Sequence, residues 1–177
     1  HAAKPQIAVD PTIVGSHIVI ALQSIVSRNA DPTDQIVVSV TSFETSSTAF
    51  NVIPQTVVLK GTVRTLSDET RDLAEKRLEE IARKTGDVFG ANVDPVYTRG
   101  YPVMTNSVDQ TEFAASVAKS VSGYCEEAPL VMGGEDFSYM AIERPGAYIL
   151  IGNGDSAPVH NPNYNFNDEA ISIGCSW

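Results

Sequence analysis

The chain has 177 residues, 42% hydrophobic and 19% charged, enough apolar material for one sizeable domain or two small ones. Its formal net charge of −10 argues against a nucleic-acid or anionic-membrane partner, and no apolar run is long enough to span a bilayer as a helix. The two cysteines, Cys125 and Cys175, make neither a CxxC pair nor a disulfide framework; they read as free thiols of a reducing cytoplasm, where we expect the protein to work. The chain starts at His1 with no signal peptide in view and stops inside an incipient helix, so we expect a piece of a longer protein.

Asp10-Pro11 opens the first helix, over 11–29, with Pro at its first position. Ile13, Val14, His17, Ile18, Ala21, Leu22, Ile25 and Val26 fall on one stripe, which makes His17 a core or interface histidine. Residues 36–43 alternate as a strand, Glu44 to Ser47 form a polar turn, and 50–65 read as strand, Pro break, strand. Ser67 caps a second helix, with Asp68 and Glu69 at its positive end and Gly86 as the expected C-cap. Residues 88–97 read as a further strand. The order helix, strand, strand, helix, strand becomes a ferredoxin-like β-α-β-β-α-β unit if one strand precedes His1. Residues 1–99 form the expected first domain.

Residues 100–177 change pattern. They offer an amphipathic helix at 108–122, a Gly-hinged acidic loop running into a short helix at 132–140, and a buried strand at 147–152. A loop around His160 follows, then a helix start with Asn167 as N-cap. One helix, one strand and a helix start do not close a core, so this half reads as the C-terminal part of a larger α/β domain.

Several side chains carry possible chemistry. His160, on a Pro-flanked loop beside a helix start, is placed as a metal ligand, since a loop can fix the imidazole direction. Glu135 and Asp136 follow a Gly-Gly pair; adjacent residues point apart, so they suit a role behind a metal ligand or at a helix cap better than direct catalysis. Tyr139, Tyr148, Tyr164 and Phe166 read as packing.

Four segments stand in order: HAAKPQ with Asp10-Pro11, TAFNVIP with GTVRT, GGEDF, and VHNPNYNFNDE. Together they resemble the hippurate hydrolase, N-acyl-amino-acid amidohydrolase and indole-acetyl-amino-acid hydrolase family, within the clan of two-metal aminoacylases and carboxypeptidases. The resemblance implies an α/β metallohydrolase domain interrupted by a ferredoxin-like lid that pairs two copies into a homodimer. It implies cleavage of small N-acyl amino acids by a water activated on two divalent metals, zinc or manganese. By the same resemblance His1 is the catalytic histidine that reaches into the partner subunit's site and stabilises the oxyanion. Asn51 and Arg64 bind substrate, His160 binds metal, and Glu135 and Asp136 support the site from behind. Plainer readings stand beside these: an exposed terminal residue for His1, a turn residue for Asn51, a surface ion pair for Arg64.

The family's upstream metal ligands and its general-base Glu are absent from this chain, and Gln6 stands where many members carry a second histidine. We therefore expect the chain alone to be inactive. Two other classes remain: a non-catalytic dimerisation or binding module, and a copper histidine brace built on His1 with His17 or His160.

Overall fold

The computed structural model describes residues 1–177, which divide into two compact units, His1–Gly100 and Tyr101–Trp177. In the first, helix α1 (Pro11–Leu22) starts at Asp10, whose Oδ1 accepts the Thr12 amide at 2.9 Å, with Pro11 at the first position. A single π-helical turn (Ile25–Asn29) follows the helix. Val14, Ile18, Leu22 and Ile25 are buried at spacings of four, four and three, one face of a helix. His17 departs from expectation. It lies just off that face, is exposed, and stacks its ring 4.7 Å from Phe89.

Strands β1 (Ile36–Thr45) and β2 (Val57–Thr65) pair antiparallel, Val38 opposite Val63 and Phe43 opposite Leu59. A bulge between Val40 and Ser42 inserts one residue, so that Phe43 faces the same side as Ile36 and Val38. There Phe43 and Val57 lie against Gly15 of α1, where an added Cβ would approach both to within 3.2 Å. Residues 50–53 form a turn rather than the expected first stretch of strand.

Helix α2 (Asp68–Phe89) is capped by Ser67, whose Oγ accepts the Thr70 amide at 3.1 Å. Ala74 and Ala82 complete a core with the α1 residues, Ile36 and Val38. The helix runs past Gly86, the expected C-cap, and ends at Gly90, whose φ of 72° is the left-handed conformation that glycine adopts without strain. Gly86 is buried inside the helix because Val93 folds back onto it.

The expected strand at 88–97 is therefore corrected. Val88 and Phe89 are helical, and the residues that follow are extended without a strand partner. Ala91, Val93, Pro95 and Tyr97 alternate inward with exposed neighbours, the period-two pattern that made the segment look like a strand. Side chains of α2 hold the segment instead. Arg83 donates to the Val93 carbonyl at 3.3 Å and Arg71 to the Gly100 carbonyl at 3.1 Å. Arg99 pairs with Asp72 at 2.6 Å and, through Nε, with Glu75 at 2.7 Å.

The second unit holds α3 (Val108–Ser122), α4 (Phe137–Glu143) and α5 (Glu169–Ser176). Gly123, with φ 74°, ends α3, and the Trp177 indole donates to the carbonyl of buried Ala114 at 3.2 Å. The expected buried strand at 147–152 is not formed. Leu150 is 60% and Ile151 44% exposed, and the segment has no strand beside it to take its backbone hydrogen bonds. Cys125 and Cys175 are free thiols. No helix is long and apolar enough to cross a membrane.

Candidate functional site

The connection between β1 and β2 is fastened at its base by Ser46. Ser46 Oγ accepts the amides of Gln55 and Thr56 at 3.1 and 3.0 Å, and the Ser46 amide donates to the Thr56 carbonyl at 3.0 Å. At its far end the Asn51 carbonyl accepts the Ala2 amide at 3.0 Å. The structure thus joins the segment of His1 to the turn of Asn51, two residues 50 positions apart. Asn51 is exposed, and its side-chain amide makes no hydrogen bond. His1 Nδ1 accepts the Ala3 amide at 3.1 Å. A neutral ring in this geometry carries its proton on Nε2, which then acts as an outward donor.

Arg64 stands opposite Val37 on β2, exposed, with its guanidinium donating only to the Val63 carbonyl at 3.0 Å. It forms no ion pair, contrary to the plainer reading, and no hydrogen bond to His1 or Asn51.

In the second unit, Glu135 and Asp136 lead into α4. The Glu135 carbonyl accepts both the amide and the hydroxyl of buried Ser138, at 3.2 and 2.6 Å. Its carboxylate accepts the Tyr148 hydroxyl at 2.7 Å. That bond holds the Glu135 carboxyl below the usual carboxylate range and pushes the Tyr148 phenol up. Asp136 occupies the N-cap of α4 without a side-chain cap bond. The sequence alone makes Tyr148 a packing residue, and Asn106, whose amide grips the Tyr148 backbone, carries no local signal. The two are 42 positions apart, and only the fold brings them together.

His160 is exposed on its loop and is the one non-glycine residue with positive φ, 67°. The Asn161 amide closes a turn onto the Pro158 carbonyl at 3.1 Å, and Asn161 Oδ1 accepts the Asn163 amide at 2.9 Å. Beyond it Asn153 ties the loop to α5. Its Oδ1 accepts the Asn167 amide at 2.7 Å and its Nδ2 donates to the Asn165 carbonyl at 2.8 Å. α5 begins one residue later than expected, though Asn167 Oδ1 still accepts the Glu169 amide at 3.1 Å.

A dinuclear metal centre needs several convergent His, Cys or carboxylate donors. No group of three such residues converges anywhere in this chain, so His160 and its neighbours do not by themselves fit one. The brace alternative loses support at His1 itself, because the Nδ1 that would chelate together with its own amine accepts the Ala3 amide.

The model of peptidase family M20/M25/M40 matches residues 5–177. The chain is 35% identical to the hippurate hydrolase of Campylobacter jejuni over 181 residues, covering 100% of this chain and 47% of that protein. It is likewise 35% identical to the IAA-amino acid hydrolase ILR1-like 2 of Arabidopsis thaliana, covering 99% of this chain and 42% of that one. Among solved structures it is similar to a dinuclear metal binding peptidase of the M20 family from Bacillus subtilis, with TM-score 0.69 and 27% identity, covering 95% of this chain and 44% of that one. The chain spans about half the length of the curated relatives it matches. A mixed helix-and-sheet fold, the four motif segments and a match from residue 5 to residue 177 agree on one conclusion: this chain belongs to peptidase family M20/M25/M40.

Proposed function

We propose that the protein containing this chain is a cytoplasmic, divalent-metal-dependent amidohydrolase that cleaves N-acyl amino acids of the hippurate kind. In this reading His160 is one ligand of a two-metal site, zinc or manganese, whose other ligands this chain does not supply. His1 presents its Nε2–H to the developing oxyanion, Asn51 and Arg64 hold the substrate, and Glu135 and Asp136 support the site from behind. Two copies pair through residues 1–65, so that His1 acts in the partner's site. What carries the reading is the end-to-end similarity to proteins named for amide cleavage. The Ala2–Asn51 hydrogen bond supports it, because it ties the segment that begins at His1 to the turn that carries Asn51.

The test uses a protein of the relatives' full length that contains this chain, assayed with hippurate and N-acetyl amino acids beside metal content by mass spectrometry. His160→Ala is expected to lose metal and most activity together. His1→Ala is expected to keep its metal and lose about 100-fold or more in turnover, the effect of removing one oxyanion donor. The isolated 177-residue chain is expected to bind neither zinc nor manganese tightly and to hydrolyse neither substrate. A His160 variant with full metal and full activity refutes the assignment.

A further inference from the structure

Glu135 directly follows the Gly133-Gly134 pair and lies near the surface, yet it is held at both its main chain and its side chain. Its main chain is fixed by the buried Ser138, which donates to the Glu135 carbonyl from both its amide and its hydroxyl. Its side chain is fixed by the Tyr148 hydroxyl at 2.7 Å. Tyr148 is fixed in turn. The Asn106 side-chain amide pairs with both backbone groups of Tyr148, Nδ2 donating to its carbonyl at 2.9 Å and Oδ1 accepting its amide at 2.8 Å. In this way Asn106 supplies one strand-like pairing to a segment that has no strand beside it. Ser107 repeats the contact two residues earlier. Its amide donates to the Gly146 carbonyl at 2.9 Å, and its Oγ accepts the Gly146 amide at 3.2 Å. The Phe137 ring closes the frame, 5.9 Å from the Tyr148 ring, over a glycine whose added Cβ would meet Phe137 at 3.3 Å.

We propose that Asn106 and Tyr148 are positioning residues of the amide-hydrolase site, acting through Glu135. Asn106 fixes the backbone from which the phenol extends, and the phenol fixes one oxygen of the carboxylate and so the direction of the other. A carboxylate held in this way can orient an imidazole or an ammonium group without rearranging when the site is filled. The chemistry that Glu135 serves rests on the proposed amidohydrolase function; the frame itself does not.

Two measurements separate the two. In the 177-residue chain, carbon-13 NMR of the Glu side-chain carboxyls follows the titration of Glu135, whose titratable neighbours are Tyr148 and Asp136. Tyr148→Phe removes only the hydroxyl and keeps the ring against Phe137, and it is expected to move the Glu135 titration up toward the ordinary carboxylate value. Asn106→Ala is expected to move it the same way by a smaller amount. In the protein of full length, each variant is expected to lower kcat by about 10-fold while KM stays within about twofold, the pattern of a lost outer support. A Glu135 titration unchanged in both variants overturns the proposal, as does an unchanged kcat. If the titration moves but the wild-type protein of full length turns over no N-acyl amino acid, the proposed function falls and the positioning role falls with it, while the hydrogen-bonded frame stands.

Discussion

Gly86→Ala sets two well-understood effects against each other inside α2. Replacing a helix-interior glycine by alanine ordinarily stabilises by about 1 kcal/mol, because alanine has less backbone freedom to lose on folding. Here the new methyl would lie 2.4 Å from Val93 Cγ2 and 3.0 Å from the Ala91 carbonyl oxygen. Carbon atoms in good contact sit about 3.5–4.0 Å apart, so Val93 must withdraw by more than about 1 Å. Val93 is β-branched and stiff, and Ala91 contributes backbone, so the strain is not relieved by a rotamer change. Overpacking of this kind costs about 1–3 kcal/mol, which leaves a net destabilisation near 1 kcal/mol after the helix gain. Val93→Ala alone removes two half-buried methyl groups and should cost about 1 kcal/mol. In the double variant the clash with Cγ2 is gone, so adding alanine at 86 becomes neutral or mildly stabilising, a coupling of about 1 kcal/mol or more between the two sites. Urea denaturation followed by far-UV circular dichroism, with hydrogen exchange of the α2 amides, measures all four corners of the cycle. If Gly86→Ala alone stabilises the chain by about 1 kcal/mol, as at a solvent-facing helix position, then Val93 does not pack on α2 as described.

Arg99→Ala removes the bonds to Asp72 and Glu75 that hold the extended 91–100 segment against α2. It should speed amide exchange and limited proteolysis in that segment while leaving global stability little changed, since the pairs are solvent-screened; unchanged exchange there would show that Val93 packing alone suffices. Lys60, 2.9 Å from Glu44 across the hairpin, holds the Glu44 carboxyl below its ordinary value through a hydrogen bond, with Ser42 adding to the effect. A depressed folded-state pKa contributes stability that is present above the unfolded value and lost as pH falls through the folded one. Lys60→Ala should therefore raise the Glu44 titration, read by NMR, and remove part of the loss of stability on acidification below pH of about 4; a Glu44 titration that does not move contradicts the pair.

Helix starts were legible from capping residues, and helix extent from apolar spacing along the sequence. Asp10-Pro11 opens α1, Ser67 opens α2, and Val108–Ser122 matches its sequence boundaries. Strands were legible only in part, because a strand is defined by its partner and the partner is not local. Residues 91–97 alternate as a strand does, but their inward side chains meet α2. Residues 147–152 are apolar as a buried strand is, but their one backbone pairing comes from the Asn106 side chain. The bulge beside Val40 falls opposite Gly61, a strand-interior glycine whose added Cβ would lie 2.3 Å from the Ser39 carbonyl oxygen, so a signal for it stood on the partner strand rather than on the bulged one. For the site, the family resemblance pointed to His1, Asn51 and Arg64, and the local sequence together with that resemblance to Glu135, Asp136 and His160. It did not reveal the Ala2–Asn51 link or the Tyr148–Glu135 bond, both made by groups that look ordinary until the chain is folded.

The left-handed backbone at His160 has a consequence for how such a loop can change. Most residues are disfavoured in that conformation, whereas glycine and asparagine enter it readily. Position 160 is thus constrained twice, by the ring it offers and by the dihedral angles it must hold. Replacement by asparagine or glycine would keep the course of the loop through Pro158, Asn161 and Asn163 and remove only the imidazole. Replacement by alanine or valine would remove the imidazole and press the loop out of shape as well. The shape of the loop and the imidazole it presents are therefore separable, so a descendant of this chain could lose the histidine and still fold around its place.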